Sequence, residues 1–114
     1  MTQIYHNPRC SKSRQTLALL QENGVEPEVV LYLKDTPSAE VLKELTKKLG
    51  CSISDIIRSG EPIYRELGIA DKPLDETGLI NIVVENPILL ERPIVVSGNK
   101  AAVGRPPENV LAIL

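Results

Sequence analysis

Between residues 2 and 33 the spacing of apolar positions changes from strand-like to helical and back. Ile4 and Tyr5 lie in a short run that the Asn7-Pro8 turn signal closes, which predicts a strand over 2–6. From Ser11 to Asn23, Leu17 and Leu20 share a helical face and Gly24 stands as the stop, so this segment predicts a helix. Glu28 to Leu33 (EVVLYL) has an apolar centre and predicts a second strand. Strand, helix and strand in close succession imply a right-handed βαβ unit with parallel strands.

The middle of the chain is helical in pattern. In TPSAEVLKELTKKLG, Pro37 marks a helix start, Val41, Leu42, Leu45 and Leu49 recur at helical spacing, and Gly50 ends the run. Ser52 and Asp55 form a capping-box pair ahead of Ile56 and Ile57, and a further helix is expected over Glu76 to Glu85. The period then shortens again. PIVVSGNKAAV is two apolar runs around Gly98-Asn99, a hairpin signal, and Pro106 and Pro107 open a last helix carrying Val110, Leu111, Ile113 and Leu114. The order β-α-β, central helical insert, β-β-α predicts an α/β fold with a mixed four-stranded sheet, the thioredoxin-like arrangement. No repeat or linker interrupts residues 1–114, so one domain is expected.

Composition narrows the function classes. A formal charge of −2 and a pI near 5.4 lack the basic footprint of sequence-independent nucleic-acid binding. With no Trp and no Phe, the core rests on Leu, Ile and Val, and stacking platforms for single strands are almost absent. No apolar leader or membrane-length run appears, so a cytoplasmic location without membrane contact is expected. Thiols stay reduced there, which makes Cys10 and Cys51 free thiols.

The chemistry concentrates in YHNPRCSKSR, residues 5–14. Cys10 falls where the first strand ends and the helix begins, the place where βαβ units gather ligands. Helix amides and the macrodipole favour an anion there, and His6, Arg9, Lys12 and Arg14 stand close by in sequence. Cys10 is therefore a candidate thiolate nucleophile. Cys51, between Leu49 and Ile53, is expected to pack. A dithiol site would need cysteine where Ser13 stands, and a Cys-x5-Arg phosphatase would need arginine in place of Thr16. Arg58, Arg92 and Arg105 each fall at an element end, where their forked donors suit an oxyanion.

YHNPRCSKSR, IIRSGEP, RPIVV and GRPPE, in this order from Thr2 to Leu114, resemble the glutaredoxin-coupled arsenate reductases. The resemblance implies Cys10 as catalytic cysteine and Arg58, Arg92 and Arg105 as oxyanion ligands. His6, Ser13 and Arg14 take supporting places, and Pro93 the place of a cis-proline facing the nucleophile. It also implies arsenate as substrate, glutathione as co-substrate and glutaredoxin as partner, with no bound cofactor and no metal, in a monomer. Two alternatives remain at this point. One is a regulatory adaptor similar to the Spx-type proteins, which typically use a Cys-x-x-Cys switch; the other is a paralogue acting on a different substrate.

Overall fold

Four short strands, β1 (Thr2–Tyr5), β2 (Glu28–Val30), β3 (Ile94–Ser97) and β4 (Lys100–Val103), form one sheet in the computed structural model, which describes residues 1–114. The sheet order is β2-β1-β3-β4. β1 runs parallel to β2, while β1–β3 and β3–β4 are antiparallel. This is the mixed thioredoxin-like sheet that the pattern predicts. Ser97 pairs with Lys100, so Gly98-Asn99 is a two-residue turn. Within this turn Gly98 adopts positive φ, at 62°, and Asn99 does not, which suits a turn with glycine in its first central place.

The chain divides into two compact units. The first, Met1–Asp35 with Arg92–Leu114, holds the sheet and helix α1 (Ser11–Glu22). One cluster of its core is Ile4, Leu20, Val95 and Val110, all fully buried, with Leu17, Val25, Ala102 and Ile113 packed against them. The closing segment Pro107–Ile113 is a 3₁₀ helix where an α-helix was expected. The Asn109 amide donates to the Pro106 carbonyl three residues back. At three residues per turn, Val110 and Ile113 align inward, while Leu111 and Leu114 are exposed. β2 also stops earlier than its apolar run suggests. The Leu31 carbonyl accepts the amides of Lys34 and Asp35, and this turn diverts the chain from the ladder after Val30.

The second unit, Thr36–Glu91, is the helical insert. Helix α2 (Ala39–Leu49) is capped by the Ser38 hydroxyl, which accepts the Val41 amide, and ends on Gly50 at φ 71°. Pro37 stands just before that cap. Leu42 and Leu45 are buried, whereas Val41 is exposed. The Ser52–Asp55 pair is present, with the Ser52 amide on the Asp55 carboxylate at 3.0 Å, but it opens a short 3₁₀ turn over Ile53–Ile56. Pro62–Glu66 forms a one-turn helix, α3, that the apolar spacing does not reveal. Helix α4 (Glu76–Glu85) matches its predicted bounds and starts on an Asp75 cap.

Leu20 links α1 to the sheet, and truncating a fully buried leucine typically costs ~2–5 kcal/mol. Leu20→Ala is expected to lower the urea midpoint by a corresponding amount. A shift worth less than ~1 kcal/mol would mean that α1 is held by something other than this cluster.

Candidate active site

Sheet register brings the site together. Tyr5 pairs with Ile94, and Ile94 with Val103, so one sheet end collects the residues just past β1, just before β3 and just past β4. Those residues are His6 to Cys10, Arg92-Pro93 and Gly104-Arg105. The segments are far apart in sequence, and antiparallel pairing alone makes them neighbours.

Cys10 is the N-cap of α1, in extended backbone conformation and 8% exposed. N-caps are usually Ser, Thr, Asp or Asn, whose oxygen takes the first free amides. Cys10 makes no such side-chain bond, and the first turn contains no acidic residue. The helix end therefore keeps its positive character for the sulfur itself. Burial pushes the thiol pKa up, but the Ser13 amide, Arg92, the Lys12 amide and Arg105 together pull it below its ordinary value. Nη2 of Arg105 lies 3.5 Å from the Cys10 sulfur.

Arg105 is anchored as well as charged, since its Nε donates to the Arg92 carbonyl at 2.8 Å. The Arg92-Pro93 bond is cis, as the resemblance implies, and so is Arg105-Pro106. The Gly104 amide donates to the Pro93 carbonyl at 2.9 Å, tying the two arginine-bearing segments together. Gly104 and its neighbour Thr16 are contributors that sequence reasoning passes over. Only the short GRPPE motif draws attention to the glycine, and nothing marks the threonine.

His6 is buried, with Nδ1 2.6 Å from the Ser13 hydroxyl, which also accepts the Asn7 amide at 3.0 Å. Burial, then Arg14, push the His6 pKa down, so the ring is neutral near pH 7 and adds no positive charge beside the sulfur. Its contact is with Ser13, one of the two residues whose amides serve the thiolate. Arg14 donates to the Pro8 carbonyl at 2.8 Å and braces the turn. Arg9 and Lys12 are exposed. The cations acting on Cys10 thus come from the far end of the chain, not from the residues that flank it in sequence.

Arg58 stands in the helical insert. Its amide donates to the Leu89 carbonyl at 2.7 Å, and its guanidinium pairs with Glu61 and, at 3.9 Å, with Glu91. Cys51, also in the insert, is half-buried. Burial, Asp55 and Glu76 all push its pKa up, which keeps it a thiol.

Residues 5–113 match the ArsC family. The chain is 48% identical to the arsenate reductase of Neisseria meningitidis (serogroup A / serotype 4A, strain DSM 15465 / Z2491), over 97% of this chain and 96% of that one. It is 58% identical to the uncharacterized protein YfgD of Escherichia coli (strain K12), over 97% and 94% respectively. Among solved structures it resembles an arsenate reductase from Vibrio cholerae, with a TM-score of 0.96 and 48% identity, covering 99% of this chain and 97% of the other.

The two cysteines are expected to titrate on opposite sides of an ordinary thiol. Iodoacetamide labelling against pH, read by peptide mass, should give a midpoint below about 8.5 for Cys10 and above it for Cys51. The Cys10 pKa is depressed by folding. Its thiolate therefore stabilises the fold above the unfolded thiol pKa, and that contribution fades as pH falls through the folded value. Equal midpoints, or the reverse order, would contradict the charge arrangement around each sulfur.

Proposed function

The chain belongs to the ArsC family, and we propose that it reduces arsenate to arsenite through the Cys10 thiolate. The observation that carries this reading is an acidic, unpartnered thiol at a helix N-cap with Arg105 at 3.5 Å and Arg92 beside it. Arsenate is a tetrahedral, multiply charged anion, and a thiolate approaches it only when that charge is masked. Guanidinium groups do this without themselves losing charge, and their paired donors suit paired oxygens.

In this reading Cys10 attacks the arsenic, a sulfur–arsenic bond forms, and one oxygen leaves as water. Arg92 and Arg105 hold the remaining oxygens and stabilise the charge that develops, a role that the resemblance also gives Arg58. Reduction from pentavalent to trivalent arsenic takes two electrons. Two thiols becoming one disulfide supply them, and Cys10 is only one of the two. Glutathione brings the second sulfur, and glutaredoxin resolves the mixed species as arsenite is released. The protein then works as a cytoplasmic monomer without a bound cofactor. An adaptor built on a Cys-x-x-Cys switch would need cysteine at position 13, where Ser13 is instead bonded to His6.

An NADPH-coupled assay with arsenate, glutathione and glutaredoxin tests the proposal. Cys10→Ser is expected to abolish turnover and Cys51→Ser to retain most of it. Arg92→Ala, Arg105→Ala and Arg58→Ala should each lower kcat by ~10²–10³, as loss of a preorganised donor does. Thioredoxin in place of glutaredoxin should support little activity. Turnover by Cys10→Ser, or near-normal rates in all three alanine variants, would refute the reading.

A further inference from the structure

Arg105 presents a difficulty for an arginine assigned to a sulfur: the residue is exposed, and a long exposed side chain samples many rotamers. We infer that Gly104 and Asn109 are positioning residues that clamp Arg105 from both sides and thereby hold its guanidinium against Cys10. The inference deepens the reading of Cys10 as nucleophile and rests on it.

The upstream clamp is a close approach. A Cβ on Gly104 would lie 2.6 Å from Thr16 Oγ1, 2.8 Å from Pro93 Cγ and 3.1 Å from Thr16 Cγ2. Neither neighbour yields easily. Thr16 is fully buried, and its hydroxyl donates to the Lys12 carbonyl at 2.8 Å; Pro93 is buried too. Any side chain at 104 must therefore push this backbone away from α1, and Arg105 moves with it. Thr16 and Cys10 belong to the same helix and its cap, so the contact measures the position of Arg105 directly against the element that holds the sulfur.

The downstream clamp is a hydrogen bond. Asn109 Nδ2 donates to the Arg105 carbonyl at 3.0 Å, while the Asn109 amide binds the Pro106 carbonyl at 3.0 Å. With the backbone held on both sides and Nε on the Arg92 carbonyl, the guanidinium has little room left to move. The other groups acting on the sulfur are the Arg92 guanidinium and the Lys12 and Ser13 amides. None of them is altered chemically by a change at 104 or 109.

Thiol acidity is the readout, because it is measured without arsenate and stands whether or not arsenate is the substrate. Thiolate absorbance is titrated in a Cys51→Ser background for Gly104→Ala, Thr16→Ala, Asn109→Ala and the Thr16→Ala/Gly104→Ala pair. Gly104→Ala is expected to raise the Cys10 midpoint by about one pH unit, the low end of what a lost neighbouring charge does. Asn109→Ala, at an exposed position, should raise it by a smaller step. Removing the Thr16 side chain should bring the Gly104→Ala midpoint part of the way back, since one of its two blocking neighbours is gone. A purely structural role would lower the thermal midpoint and leave the acidity alone. An unmoved Cys10 midpoint in Asn109→Ala overturns the downstream clamp. An unmoved midpoint in Gly104→Ala, or no recovery in the Thr16 pair, overturns the upstream one. Should Gly104→Ala alone not fold, the Thr16 pair decides: a midpoint still above that of Thr16→Ala supports the clamp, and one equal to it removes the clamp.

Discussion

A thiolate buried to 8% exposure, with no second sulfur beside it, must be held by donors and charges from elsewhere in the chain. Desolvation opposes the charged form, so the site exists only where the opposing contributions win. Here they win by accumulation. Two helix amides, those of Lys12 and Ser13, act on the sulfur, and the first turn holds no acid to compete for them. Two guanidinium groups arrive through the β3–β4 hairpin, one of them from 95 residues along the chain. The sheet thus does chemical work: its register decides which charges reach the sulfur.

The two cysteines show how completely the surroundings decide reactivity. Both follow a turn and precede a helical segment, and both are removed in part from solvent. Cys10 meets arginines and open amides, whereas Cys51 meets Asp55 and Glu76. Desolvation raises both thiols, and charge of opposite sign then separates them. His6 follows the same logic in reverse. Its burial keeps the ring neutral, and its contribution is to hold Ser13 through a hydrogen bond at 2.6 Å.

Much of this architecture was legible in the sequence because glycine, proline and asparagine punctuate it. Asn7-Pro8, Gly24, Gly50 and Gly98-Asn99 mark real element ends, and the βαβ unit and the hairpin follow from them. The misreadings have local causes. Two prolines at 106 and 107 lead into a 3₁₀ segment where an α-helix was expected, and its inward residues repeat every third position, which leaves Leu111 and Leu114 exposed. The Leu31 carbonyl turns the chain out of β2 although the apolar run continues. Cys10 stood out by its place at a strand end, and Arg92 and Arg105 by their places at element ends and by the resemblance, though as ligands of an oxyanion and not as the groups that set the thiol's acidity. Arg9, Lys12 and Arg14 are near it in sequence and do not set its acidity, while Arg92 and Arg105 do so only through the fold. The packing of Gly104 on Thr16 and Pro93 leaves no trace in spacing or composition.

The central claim is that Cys10 supplies one sulfur and the second comes from outside the chain. It can be examined on the protein with both cysteines intact, by incubation with arsenate and glutathione in the absence of glutaredoxin, followed by non-reducing peptide mass mapping. If the claim holds, the Cys10 peptide carries one glutathionyl group, directly or through arsenic, and Cys51 remains a free thiol. A disulfide between Cys10 and Cys51, formed at the expense of the glutathionylated peptide, would contradict it.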